Sequence, residues 1–116
     1  MRELDMLKRE ILEECRGDHV GLWAVVRDVR EAFPNAGDEE VREIVLALME
    51  EFLDKRLVVA GFPTPDGRRF DAWTTAASET ISRIDDAWTK LRRDPDIGEV
   101  VWFTAIGIPE KEHVDS

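Results

Sequence analysis

The stretch between residues 33 and 74 constrains the fold most, because a helical repeat there runs directly into a hairpin pattern. Between residues 38 and 55, apolar side chains recur at intervals of three or four, which places them on one face of a helix. These side chains are Val41, Ile44, Val45, Leu48, Met49 and Phe52. Gly37 or Asp38 is positioned to cap the helix. The spacing therefore predicts an amphipathic helix over residues 38–55.

The residues that follow this helix have the composition of a β-hairpin. Residues 57–62 are mostly β-branched or apolar, and residues 68–73 combine aromatic and polar side chains. Between them, Thr64-Pro65-Asp66-Gly67 has the Pro and Gly typical of a tight turn. The sequence therefore predicts a strand, a turn and a returning strand.

Two further helices are predicted before this stretch. An apolar stripe over residues 3–16 stops at Gly17, and a second stripe over residues 22–33 stops at Pro34. Trp23 lies beside the centre of the second stripe. Because large aromatic side chains are mostly buried, we favour a core position for Trp23 over partial exposure.

A helix and a strand are predicted after the hairpin. Residues 77–91 carry a narrow apolar stripe that predicts a helix, and Thr74 or Thr75 is placed to cap its N-terminus. We expect this fourth helix to lie across the other three, with a helix-to-helix dimer seam as the alternative. Residues 99–106 are apolar at both alternating positions, as in a strand buried on two faces. This strand is expected to pair with the hairpin or with a short strand near residues 19–22.

Length and composition predict one domain over residues 1–116. The hydrophobic fraction of 43% is sufficient for a single core, and the charged residues 109–116 are expected to fray. The charged N-terminal segment does not resemble a signal peptide, and no apolar run is long enough to span a bilayer. Cys15 is the only cysteine, which excludes an intrachain disulfide and is compatible with a cytoplasmic location.

The net charge of -10 bears most directly on function, because proteins bind nucleic acid largely by neutralising phosphates with Lys and Arg. The helix over residues 38–55 contains seven acidic residues and two basic ones. This composition opposes contact with phosphate. The features that favour nucleic acid are two small cationic groups, Arg68 and Arg69 at the hairpin turn and Arg92 and Arg93 after the fourth helix.

Catalytic and metal-binding patterns are absent from the sequence. There is no nucleophile with an accompanying base, no carboxylate dyad and no phosphate-binding glycine loop. Cys15 and His19 are separated by Gly17, and no second cysteine completes a metal site. His113 falls in the predicted frayed tail, which is a poor position for a general base. We therefore predict a protein that is not an enzyme and has no cofactor or metal.

The order of helices and strands, and especially residues 39–61 followed by the Thr64-Pro65-Asp66-Gly67 turn, resembles the winged helix-turn-helix superfamily. This resemblance implies an α+β fold with an N-terminal helix, a hairpin wing, a fourth helix and a C-terminal strand. Many members bind DNA, and others use the scaffold for protein contacts. Residues 78–103 look like small bacterial proteins, and some acidic proteins of this general kind are immunity proteins for toxins.

The acidic helix and the resemblance together give the leading functional hypothesis. It is a protein-binding domain of the non-DNA-binding winged-helix type, acting as an immunity protein that neutralises a basic nuclease toxin. The residues predicted to bind the partner are Glu39, Glu40, Glu43, Glu50 and Asp54, with Trp73, or else Trp23, as an exposed aromatic anchor. One alternative is a DNA-binding regulator that uses the four arginines named above and dimerises through the fourth helix. Another is a structural adaptor subunit of a larger complex.

Overall fold

The computed structural model describes residues 2–106, which form four helices and a four-stranded antiparallel sheet. The α+β class predicted from the sequence is therefore confirmed. In chain order the elements are α1 (Arg2–Gly17), β1 (Val20–Gly21), α2 (Leu22–Ala32), α3 (Asp38–Asp54), β2 (Val58–Pro63), β3 (Phe70–Ala72), α4 (Ala77–Leu91) and β4 (Trp102–Ala105). The predicted frayed tail, residues 109–116, lies outside the described residues. Within residues 2–106, no helix combines the length and the apolar character needed to cross a bilayer.

The last strand, β4, holds the sheet together. The strand order is β1-β4-β2-β3, so β4 lies between the short first strand and the hairpin formed by β2 and β3. Trp102 pairs with Gly21 on one side and with Gly61 on the other. The two pairings that the sequence left open for this strand thus occur together, because β4 has a neighbour on each edge.

The prediction that this strand is buried on both faces is wrong. Phe103 is fully buried in the core, whereas Trp102 and Thr104 on the opposite face are only half-buried. The helices contribute their apolar stripes to the core that contains Phe103. On the other face of the sheet, the rings of His19 and Phe70 pack 5.0 Å apart.

The helical stripes form one continuous core. Its fully buried members include Ile11 of α1, Val25 of α2 and Val45 of α3. From α4, Ile84 and Trp88 are 0% and 3% exposed, so this part of its apolar stripe faces the core, where α4 packs mainly against α3. Two of the side chains on which the dimer-seam alternative depended, Ile84 and Trp88, are therefore part of the core.

The loop between α4 and β4 has a strained backbone. Arg92, Gly98 and Val100 have φ values of 60°, 81° and 73°, and a positive φ is unfavourable for a β-branched residue such as Val100. The Val101 N–H donates to the Glu99 carbonyl at 2.9 Å, which closes a tight turn around Val100. The guanidinium of Arg93 donates to both carboxylate oxygens of Glu99, at 2.8 and 2.9 Å, and so ties the two ends of the loop together.

Candidate functional site

The outward face of α3 carries a row of carboxylates. Its members are the five acidic residues predicted to bind a partner, Glu39, Glu40, Glu43, Glu50 and Asp54, and all five are exposed. Successive members are one, three, seven and four residues apart, which places them on one side of the helix, over a length of about 22 Å. Within residues 2–106, none of the five forms an ion pair. We refer to this row as the acidic stripe.

The stripe contains no cation because the only base inside α3 points elsewhere. Arg42 donates through Nη1 to Asp85 Oδ1 at 2.9 Å and to Thr89 Oγ1 at 2.7 Å, both on α4. Its guanidinium also lies 5.0 Å from the centroid of the Trp88 ring. Arg42 therefore joins α3 to α4 and leaves no cation on the solvent-facing side of α3.

The two remaining acidic residues of α3 are engaged with cations. Asp38 accepts from Arg30 at 3.0 Å, and Arg30 also contacts Asp94 in the loop after α4. Glu51 contacts Lys8 of α1 at 2.8 Å and Lys55 at 2.9 Å. Hydrogen bonds first from Lys8 and then from Lys55 lower the pKa of Glu51 below its ordinary value. These two acids link structural elements, in contrast to the five of the stripe.

The C-terminal half of the stripe borders a shallow groove between α3 and the start of α4. Glu50 and Asp54 line one wall of this groove, which has a volume of about 490 Å³. Small residues leave the space open, and these are Ala47, Ala76, Ala77 and Ser78. We call this space the α3–α4 groove. The sequence pattern did not predict it, because alanines on two separate helices carry no signal that they face each other.

A second, smaller pocket adjoins the groove at Ala77. Its lining includes Leu53, Trp73 and Ile106, with Arg56 at one side. We call it the Trp73 pocket. Ala77 lines both spaces, so the groove that contains Glu50 and Asp54 adjoins the pocket that contains Trp73, although these residues belong to different parts of the sequence.

The expectation that Trp73 or Trp23 is exposed is wrong, since both side chains are half-buried against the core, and their role as an aromatic anchor stays a prediction. The guanidinium of Arg83 lies 3.7 Å from the centroid of the Trp73 ring, and the Phe62 ring packs 6.2 Å away. Trp73 therefore forms a wall of its pocket. Trp23 packs against the backbone of Gly21 and lies beneath the guanidinium of Arg27.

The four arginines of the nucleic-acid alternative differ in their environments. Arg68 and Arg69 are exposed at the turn of the hairpin and form no ion pair with any residue from 2 to 106. Arg92 is exposed at the end of α4. Arg93 contacts Glu99 and, at 3.6 Å, Asp96. One of the four cations is therefore already neutralised within its own loop.

Cys15 and His19 have separate surroundings. Cys15 is buried in the core, where desolvation raises the pKa of its thiol to about 12, with a smaller contribution from Glu14. The imidazole of His19 packs against Phe70 on the outer face of the sheet. In the part of the chain from residue 2 to 106, no three His, Cys, Asp or Glu side chains converge in a way that could hold a metal ion.

Comparison with known proteins identified no relative of this chain. No protein-family description, curated protein or solved structure matches the chain.

Proposed function

We propose that this chain is a non-enzymatic protein-binding domain of the winged-helix type, which presents the acidic stripe of α3 to a basic protein. The observation that carries the proposal is that five exposed carboxylates share one face of a helix whose only internal base, Arg42, contacts the neighbouring helix instead. The order α1-β1-α2-α3-β2-β3 is consistent with the winged-helix part of the proposal.

The carboxylates of the acidic stripe repel each other, and a binding role explains why this unfavourable arrangement is present. Glu39 and Glu43, and likewise Glu50 and Asp54, are four residues apart on the helix, and like charges at this spacing repel each other. A basic partner would relieve this repulsion. It would also be attracted from a distance, since complementary charge accelerates encounter at low ionic strength.

The particular partner that we propose is a basic nuclease toxin, which makes the chain an immunity protein acting in the bacterial cytoplasm. A nuclease site is basic because it must hold phosphate. A rigid row of carboxylates about 22 Å long can occupy such a site in place of the nucleic-acid backbone. Neutralisation of the toxin would then follow from blocking the site, with no chemistry on the immunity protein.

The proposal is tested with the product of the gene directly upstream, because an immunity gene follows its toxin gene. We expect a complex whose affinity falls with added salt, and we expect co-expression to rescue growth. The double variant Glu40→Lys with Glu43→Lys should strongly weaken both effects. The matched control is Asp5→Lys with Glu13→Lys on α1, which makes the same change in charge and likewise removes one first-turn acid.

Two results would contradict the proposal. One is that the α1 control weakens binding as much as the α3 variant, which would show a general effect of net charge. The other is a gel shift of duplex DNA at low salt that depends on Arg68 and Arg69, which would favour the regulator alternative. A stable assembly with a partner that is neutral or acidic would favour the adaptor alternative.

A further inference from the structure

We propose that the partner is held at the start of α4 by a segment in which a cationic residue lies next to an apolar one. The cationic side chain enters the α3–α4 groove and the apolar side chain enters the Trp73 pocket. This inference rests on the proposed function and specifies where on the acidic surface binding is concentrated.

The α3–α4 groove fits a long cationic side chain. Its small residues, Ala47 and Ala77 among them, leave an apolar floor for the methylene groups of Arg or Lys. Glu50 and Asp54 stand at its wall as hydrogen-bond acceptors for the charged end. Glu51, also at the groove, is held in place by Lys8 and Lys55.

The Trp73 pocket fits an apolar side chain. Leu53 is half-buried and Ile106 is 45% exposed, so burying them against a partner removes apolar surface from water. The guanidinium of Arg83 lies against the Trp73 ring and favours this ring position, which lowers the entropic cost of binding an apolar side chain beside it.

The charges around the two spaces determine which side chain of the bound segment enters each space. The α3–α4 groove is lined by carboxylates, whereas the Trp73 pocket has Arg56 at its side. A cation therefore binds favourably at the first space and unfavourably at the second. Because Ala77 lies between the two spaces, neighbouring side chains of one short segment can fill both.

Charge also decides between the possible occupants. A second copy of this chain would bring another net charge of -10 to a surface that is already acidic. A segment carrying Arg next to Leu offers opposite charge to Glu50 and Asp54 and an apolar side chain to Trp73. We therefore assign the site to a basic and apolar segment of a partner protein.

The experiment is a heteronuclear NMR titration of the whole chain with three synthetic peptides. The probe is Gly-Ser-Arg-Leu-Arg-Leu-Ser-Gly, and the two comparison peptides replace every Leu or every Arg with Ser. We expect the probe to shift the amide signals of Ala47 and Ala77 and the indole signal of Trp73. It should also bind at least about fivefold more tightly than either comparison peptide.

Variants that fill the groove without changing charge provide the second arm. Ala47→Leu and Ala77→Leu should each weaken binding of the probe peptide by about fivefold or more. Ser82→Leu, at an exposed position of α4, should leave its affinity unchanged. Unchanged spectra of the core show that each variant is folded.

The outcomes separate this inference from the proposed function. If the probe and the peptide in which Ser replaces every Leu bind equally tightly, the inference is wrong and the proposed function stands. The same holds if only amide signals along the acidic stripe shift. If the Ala77 signal shifts with protein concentration in the absence of peptide, a second copy is the occupant and the inference is also wrong. The proposed function fails on its own test, through Glu40→Lys with Glu43→Lys.

Discussion

Arg42 of α3 and Asp85 of α4 are joined by a 2.9 Å ion pair, and this contact determines the character of the exposed surface beside it. The pair is half-buried, and its arginine also bonds to Thr89 and stacks on the ring of the buried Trp88. The same contact therefore fixes α4 against α3 and removes the only internal cation from the acidic stripe.

The substitution Arg42→Gln tests the structural part of this relationship. It removes the ion pair and the contact with Trp88, so we expect the free energy of unfolding to fall by about 1 kcal/mol in urea denaturation. The matched control is Arg16→Gln, which breaks only an exposed 3.4 Å pair with Glu13 and should leave stability within experimental error. Equal effects of the two substitutions would mean that Arg42 does not join the helices.

The substitution Glu43→Gln tests whether the acidic stripe reduces stability. Glu43 has Glu39 and Glu40 as neighbours four and three residues away, so removing its charge should raise the free energy of unfolding by about 0.5 kcal/mol at low salt. The gain should disappear in about 1 M salt, where the Debye length is about 3 Å. Glu51→Gln provides the contrast. It removes the ion pairs with Lys8 and Lys55, so it should destabilise the protein.

The Glu99 carboxylate predicts a defined pH dependence. Hydrogen bonds from Arg93, and then from the Asp96 backbone N–H, lower the pKa of Glu99 from 4.5 to about 2 in the folded protein. Because the folded pKa is the lower one, the stabilisation is complete above pH 4.5 and is lost as the pH falls to about 2.

Thermal unfolding followed over pH checks this expectation. The difference in Tm between the native chain and Glu99→Gln should be constant above about pH 5 and should vanish toward pH 2. Arg93→Gln removes the arginine that bonds to Glu99, and its difference in Tm from the native chain should depend on pH in the same way. A difference that persists unchanged at pH 2 would contradict the assignment.

The thiol of Cys15 is expected to be inert in the folded protein. It is 2% exposed and its pKa is raised to about 12, so at pH 8 it is both covered and protonated. A thiol-specific reagent such as Ellman's reagent should react only after denaturation. In the Cys15→Ala background, Ser82→Cys on the exposed face of α4 should react at once. Rapid reaction of folded native protein would place Cys15 outside the core.

Much of the local structure was predictable from short-range patterns. The stripe of α3 was recognised from apolar positions such as Val41, Val45 and Leu48, all of which are buried. The turn at residues 64–67 was recognised from its Pro and Gly. The exposed position of the five stripe acids also follows from helical periodicity, because they occupy the side of α3 opposite to those apolar residues.

The site as a whole was less predictable. Trp73 was expected to be an exposed anchor, and the stacking of Arg83 from another element could not be read from its neighbours in the chain. The adjacency of Glu50 and Asp54 to the Trp73 pocket depends on where the first turn of α4 packs. Alanines at that junction are recognisable as groove residues only when both helices are in place.

By itself, the sequence determined the positions of the helices and strands and the excess of acidic residues, because apolar periodicity and charge are properties of local stretches of chain. Tertiary structure alone decided that β4 lies between β1 and β2, and that Arg42 points to Asp85 and away from solvent. The physical reason is that strand pairing and ion pairs join residues far apart in sequence. Their partners are selected by how the core packs.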